Sequence, residues 1–158
     1  MEYKVGRVTF KKNIIFILII LFGVHSAYAR TYKTYAQWEV DAVAVAWLIQ
    51  KYIDKEANFE IVKKETPIQA EQAVNTPNSR FRRTAKETAF ESALRYYKID
   101  SSCTKKIVPL VRVIEMAPWR KSEDMRVLNF EKDVVTKLQE EGIFAVFEYI
   151  DHFCEKGQ

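Results

Sequence analysis

The chain has 158 residues, with 25 Lys+Arg against 21 Asp+Glu, a formal net charge of +4 and a pI of about 9.0. Its first 29 residues hold four of the bases (Lys4, Arg7, Lys11, Lys12) and one acid (Glu2), which leaves 21 against 20 for the remainder. That near-neutral balance gives no global electrostatic case for a nucleic-acid partner. His25 lies in the same leading stretch, so His152 is the one histidine beyond it, which excludes a multi-histidine zinc or copper site within one mature chain.

In chain order, the basic start is followed by the apolar run Ile14–Gly23 and then "VHSAYA", in which Ala27 and Ala29 satisfy the small-x-small rule. This is the pattern of a signal peptide over residues 1–29, cleaved between Ala29 and Arg30. The apolar run is shorter than the roughly 20 residues of a membrane-spanning helix. The bland alternative is an uncleaved anchor. Cleavage leaves Arg30–Gln158 as one domain, 30–158, exported to the periplasm or secreted, with no membrane span of its own.

From Trp38 to Ile53 the residues are rich in Ala, Leu and Ile and contain no Gly or Pro, which predicts a helix. "NFEIV" at Asn58–Val62 predicts a short strand with Phe59 and Ile61 inward and Glu60 outward. The stretch from Lys63 to Arg83, with Pro67, Pro77 and Asn-rich turn chemistry, reads as loop with a short helix around Ile68–Val74. A helix over Ala85–Tyr97 carries the apolar stripe Ala89, Phe90, Ala93, Leu94 and Tyr97. Another spans Cys103–Met116 and is expected to kink or split at Pro109. Two more are expected near Glu131–Glu140 and Ile143–Cys154, separated by Gly142. The fold class is mainly α, that is α+β with one or two short strands, in a single compact helical domain.

Asp41 is the only charged residue between Val40 and Ile49. Either it supports a helix N-terminus, or it is a partly buried carboxylate serving as ligand or base, with Ala42, Ala44 and Ala46 permitting close approach. "NSRFRRTAK" gathers Arg80, Arg82, Arg83 and Lys86 before a helix. It is either an anion site built from guanidinium groups and free backbone N–H groups, or a solvated basic loop. Glu91 and Arg95 are spaced as an i,i+4 pair. Cys103 and Cys154 would close a loop of about fifty residues, worth about 4 kcal/mol in the chain-entropy model, if they pair. A disulfide and two buried free thiols both remain open from sequence. No nucleophile–base motif involves His152, and Gly142 and Gly157 are the only glycines beyond the leader, so no phosphate-binding glycine loop exists there.

"VDAVAVAWLIQKYIDKEANF" (Val40–Phe59) resembles the hallmark of the chromate-resistance exported protein family, the domain also found at the C-terminus of ChrB-type chromate regulators. Val40, Asp41, Ala44, Trp47, Leu48, Ile49, Ile53, Asp54, Ala57 and Phe59 match its pattern. "TAFESALRYYKID" resembles a second block through Phe90, Glu91, Leu94 and Tyr97. "LVRVIEM" resembles a third through Val111 and Arg112, with Glu115 at the family's acid, and "VFEYI" a fourth, with Glu148 for an aspartate. The family's cysteines are replaced by Val45 and Thr88, the arginine after the aspartate by Ala42, and its histidine is absent, with Arg83 near that position.

The resemblance implies a role in chromate resistance or a related stress response, in a group for which redox activity has been proposed. It marks Asp41, Trp47, Glu91, Arg112 and Glu115 as the candidate site. Three carboxylates without nitrogen or sulfur ligands would suit a hard divalent cation if Asp41, Glu91 and Glu115 converge. Arg80, Arg82 and Arg83 are the candidate contacts for an oxyanion. Three readings follow: an exported binding or accessory protein with a degenerate site, a metal-dependent redox or hydrolytic enzyme using the carboxylates, and an interaction module using Trp119 and Arg120 as anchors. The first is favoured.

Overall fold

The computed structural model describes residues 29–156, so the expected signal peptide lies outside the described residues except for Ala29. The described chain opens with β1 (Thr31–Tyr35), enters α1 (Val40–Tyr52) and returns through β2 (Asn58–Val62). The two strands are parallel, in register from Thr31 with Asn58 to Tyr35 with Val62. Parallel neighbours need a crossover, and α1 supplies it. In β1, Tyr32 and Thr34 point inward and are buried. In β2, Phe59 packs on Tyr32, Trp38 and Phe147, with ring centroids 5.8, 5.9 and 5.4 Å away. Ile61, expected inward on the same face, is 52% exposed, on the wall of an open groove that it shares with Phe59 and Leu138.

α1 is the axis of the molecule. All ten residues from Val40 to Ile49 are buried, and the helix packs against α2 (Ala89–Tyr97), α3 (Ser102–Met116), α4 (Met125–Glu140) and α5 (Ile143–Glu155). A helix covered on every side must be apolar all round. Ala42, Ala44 and Ala46 let the neighbours come close, while full burial of Leu48 and Ile49 contributes about 1.5–3 kcal/mol each.

The segment between β2 and α2 forms no helix at Ile68–Val74. Its backbone serves the sheet instead: Lys33 N donates to Gln72 O at 2.7 Å and Val74 N to Lys33 O at 2.9 Å, so Ala73 bridges the free edge of β1. Buried Phe81 and Ser79 pin the rest, the Ser79 hydroxyl donating to Ala73 O at 2.7 Å.

α2 begins at Ala89, four residues later than expected. Thr84 Oγ1 accepts from the N–H groups of Lys86 and Glu87, closing a turn, and Thr88 is the N-cap. α3 runs as one helix through Pro109, against the expected split into two shorter pieces. Pro109 is exposed, so the ring and the missing hydrogen bond fall on the solvent side. A 3-10 helix, Pro118–Glu123, leads to α4, which Asp124 starts by accepting from Arg126 N at 2.9 Å, six residues before the expected start. Gly142, at φ +92°, turns the chain into α5. Cys103 and Cys154 are disulfide-bonded, 51 residues apart, joining the first turn of α3 to the last turn of α5. The result is one mainly α domain with a two-stranded parallel sheet. No helix of the described residues is long and apolar enough to cross a membrane.

Candidate functional site

Asp41 sits in the first turn of α1 and is fully buried, at 0% exposure. Its carboxylate does not serve its own helix. Oδ2 accepts the backbone N–H of Ala89 and Oδ1 that of Phe90, both at 2.8 Å. These are the first two amides of α2, which have no partner within the helix. The third is taken by a capping box: Glu91 N donates to Thr88 Oγ1 at 3.0 Å and Thr88 N to the Glu91 carboxylate at 2.9 Å. Ser92 N then makes the first bond to Thr88 O. The N-terminus of α2 is therefore fully satisfied.

The same device recurs one helix back. Glu115, in the last turn of α3, accepts the backbone N–H of Asp41 in the first turn of α1 at 3.2 Å. Its other oxygen accepts from Arg83, whose guanidinium also reaches Glu39, the N-cap residue of α1, at 3.5 Å. Asn75 ties this corner together: it donates to Glu39 at 3.4 Å and accepts from Arg83 N at 3.2 Å. The Glu115 side chain is 10% exposed. Burial raises its pKa, with the Asp41 N–H and Arg83 pulling the other way. Burial also pushes Asp41 up to about 6, opposed by the Ala89 and Phe90 N–H groups, raised further by Glu115 and lowered by Arg83.

Glu91 closes the ring. Besides capping its own helix it accepts from Arg112 of α3 at 2.6 Å, and Arg112 also donates to Lys86 O at 3.1 Å. The expected Glu91–Arg95 pair does not form, because Arg95 turns to Glu87 instead. So α3 holds the start of α1 through Glu115, α1 holds the start of α2 through Asp41, and α2 holds α3 through Glu91. Four of the five candidate residues, Asp41, Glu91, Arg112 and Glu115, thus meet in one structural circuit. The helix dipoles favour it, since each acid that faces a helix start meets a partial positive charge.

Trp47, the fifth, takes no part in these bonds, although its ring lies beside Phe90 with centroids 6.3 Å apart. Its ring is fully buried, and Nε1 donates at 2.9 Å to Asp151 of α5, which also holds Lys51. The acid meeting this helix from the "VFEYI" region is therefore Asp151; Glu148 is exposed. Sequence reasoning missed Asp151, Glu39 and Asn75. For Asp151 a signal existed, since it lies one helical turn beyond buried Phe147 on α5.

The chemical consequence is specific. Every oxygen of Asp41, Glu91 and Glu115 accepts from a backbone N–H or a guanidinium, and the three do not converge as a ligand set. Among the described residues no three His, Cys, Asp or Glu side chains are placed to hold a metal ion, and no buried side-chain nitrogen or oxygen lacks a partner. The basic loop is likewise engaged: Arg80 donates to Tyr96 Oη at 2.7 Å, Arg82 to Pro77 O at 2.6 Å, and Arg83 to the two glutamates. The helix start that would complete an oxyanion cradle there is already filled by Asp41 and Thr88. Thr88, standing where the resemblance expects cysteine, is the N-cap, a role its hydroxyl fills better than a thiol.

The family model described as "ChrB, C-terminal domain" matches residues 32–154. No curated protein and no solved structure matches the chain.

Proposed function

The chain belongs to the ChrB C-terminal domain family, and from that premise we propose that it is an exported chromate-resistance-family protein with a binding or accessory role, not a catalyst. The observation that carries this reading is the full engagement of the shared acids. A carboxylate that must accept two buried backbone N–H groups is not free to bind a cation or move a proton without uncapping a helix. Export rests on the leader pattern of residues 1–29.

Complementation tests the reading. Deleting the gene should sensitise the host to chromate, and the exported wild-type protein should restore growth. Glu91→Gln should restore it equally, because glutamine fills the third position of a capping box as well as glutamate does. A folded Glu91→Gln protein that fails to complement would overturn the non-catalytic role and favour carboxylate chemistry.

A second reading, the interaction module, has one observation in its favour. Trp119 is 76% exposed beside Arg120 on the 3-10 helix, and such a pair is a common interface anchor.

A further inference from the structure

A groove of about 980 Å³ lies between α3, the 3-10 helix, α4 and α5, and none of the candidate-site acids lines it. Its floor is apolar, made by Leu110, Val113, Val127, Phe130 and Phe153, with the Phe130 and Phe153 rings 5.1 Å apart. Its volume is at the upper end of the range typical of small-molecule sites.

Its rim carries an uneven charge. At the 3-10 end the ions are matched: Arg120 with Glu123 at 2.9 Å and Arg126 with Asp124 at 2.7 Å. Asp133 is occupied by the Tyr149 hydroxyl at 3.1 Å. At the opposite end, beside the Cys103–Cys154 disulfide, Lys106 and Lys156 make no ion pair among the described residues. Lys106 rests its ammonium on Cys154 O at 2.6 Å, at the C-terminal end of α5.

We propose that this groove binds an amphipathic organic anion, its carboxylate or sulfonate head on Lys106 and Lys156 and its apolar body along Leu110, Val113, Phe130 and Phe153. A neutral apolar ligand would gain nothing from the two ammonium groups, which have no counter-ion among the described residues, and an inorganic oxyanion would leave the aromatic floor in water. A molecule with both parts matches both ends. The inference goes beyond the family reading and stands or fails separately from it, since the groove shares no residue with the acidic circuit.

Calorimetric titration of the full, disulfide-intact protein with decanoate tests it, with decanol and acetate as comparators and amide chemical shifts to place the ligand. Saturable decanoate binding is expected, about tenfold tighter than decanol, with shifts at Phe130 and Phe153 and no binding of acetate. Lys106→Glu combined with Lys156→Glu should weaken decanoate by about tenfold with the melting temperature unchanged. Decanol binding as tightly as decanoate would overturn the proposal on the wild-type protein alone. So would shifts that map to the separate groove between Phe59, Ile61 and Leu138, or no saturable binding of decanoate at millimolar concentration.

Discussion

The carboxylate of Asp41 accepts the backbone N–H of Phe90 at 2.8 Å across 49 residues of sequence. A residue that looks like the start of its own helix thus forms the start of another, and the role of the shared acids turns on that bond and its equivalents.

Removing the carboxylate leaves two buried donors without acceptors. Asp41→Ala should destabilise the protein by about 2–4 kcal/mol, at about 1–3 kcal/mol per orphaned N–H less the relieved burial of a charge. Asp41→Asn keeps one acceptor but faces an amide N–H₂ toward the other donor, and should lose about half as much. The shift of the urea midpoint measures both.

Stability should also depend on Asp41 through pH. Its folded pKa of about 6 lies above the unfolded 3.8, so the native state holds the proton more tightly. The resulting stabilisation is fully present below about pH 4 and is lost as pH rises through 6, amounting to at most about 3 kcal/mol. Glu115 is raised as well and acts in the same direction, whereas Asp124, held low by Arg126, acts below this window. The melting temperature should therefore rise between pH 7.5 and 5, and Asp41→Asn should flatten most of that rise.

Glu91→Gln should change stability by less than about 1 kcal/mol. The capping box survives, and only the charge of the half-exposed Arg112 partnership is lost. Glu91→Ala removes the box and should cost about 1 kcal/mol more, read in the same denaturation series.

Replacing Cys103 and Cys154 together by serine reopens a loop spanning 51 residues. A loss of about 2–4 kcal/mol is expected in thermal or urea unfolding. A matching fall on adding reductant to the wild-type protein would show that the bond forms in solution.

Intact mass checks the leader. The mature protein should begin at Arg30, whose backbone nitrogen lies 3.2 Å from Asp54 Oδ2. Cleavage there would turn that contact into an ammonium–carboxylate pair. A product retaining Met1 would contradict export by cleavage.

The helices were legible where composition or period speaks locally: the alanine-rich run before Tyr52, the stripe from Ala89 to Tyr97, the apolar spacing after Gly142. β1 was not, because Tyr32 and Thr34 become a strand only by pairing with Phe59 and its neighbours and by the bridge to Ala73. The same bridge took the backbone that local propensity assigned to a helix at Ile68–Val74. In the site, the residues were legible but their roles were not. Asp41, Glu91, Arg112 and Glu115 do come together, yet each is matched by groups 21 to 74 positions away or by its own cap. Spacing along one helix carries no record of such partners, which is why Arg95 and Glu91 are spaced as a pair yet each bonds to another residue.

Amide hydrogen exchange at Ala89 and Phe90 tests the structural role of Asp41 most directly. First-turn amides normally exchange fast, having no helical acceptor. In the wild-type protein both should instead be protected nearly as well as the amides of buried α1, and Asp41→Asn should strip that protection while leaving α5 unchanged. Unprotected exchange at both positions in the wild type would mean that the carboxylate does not hold α2, and would return Asp41 to the list of groups free to do chemistry.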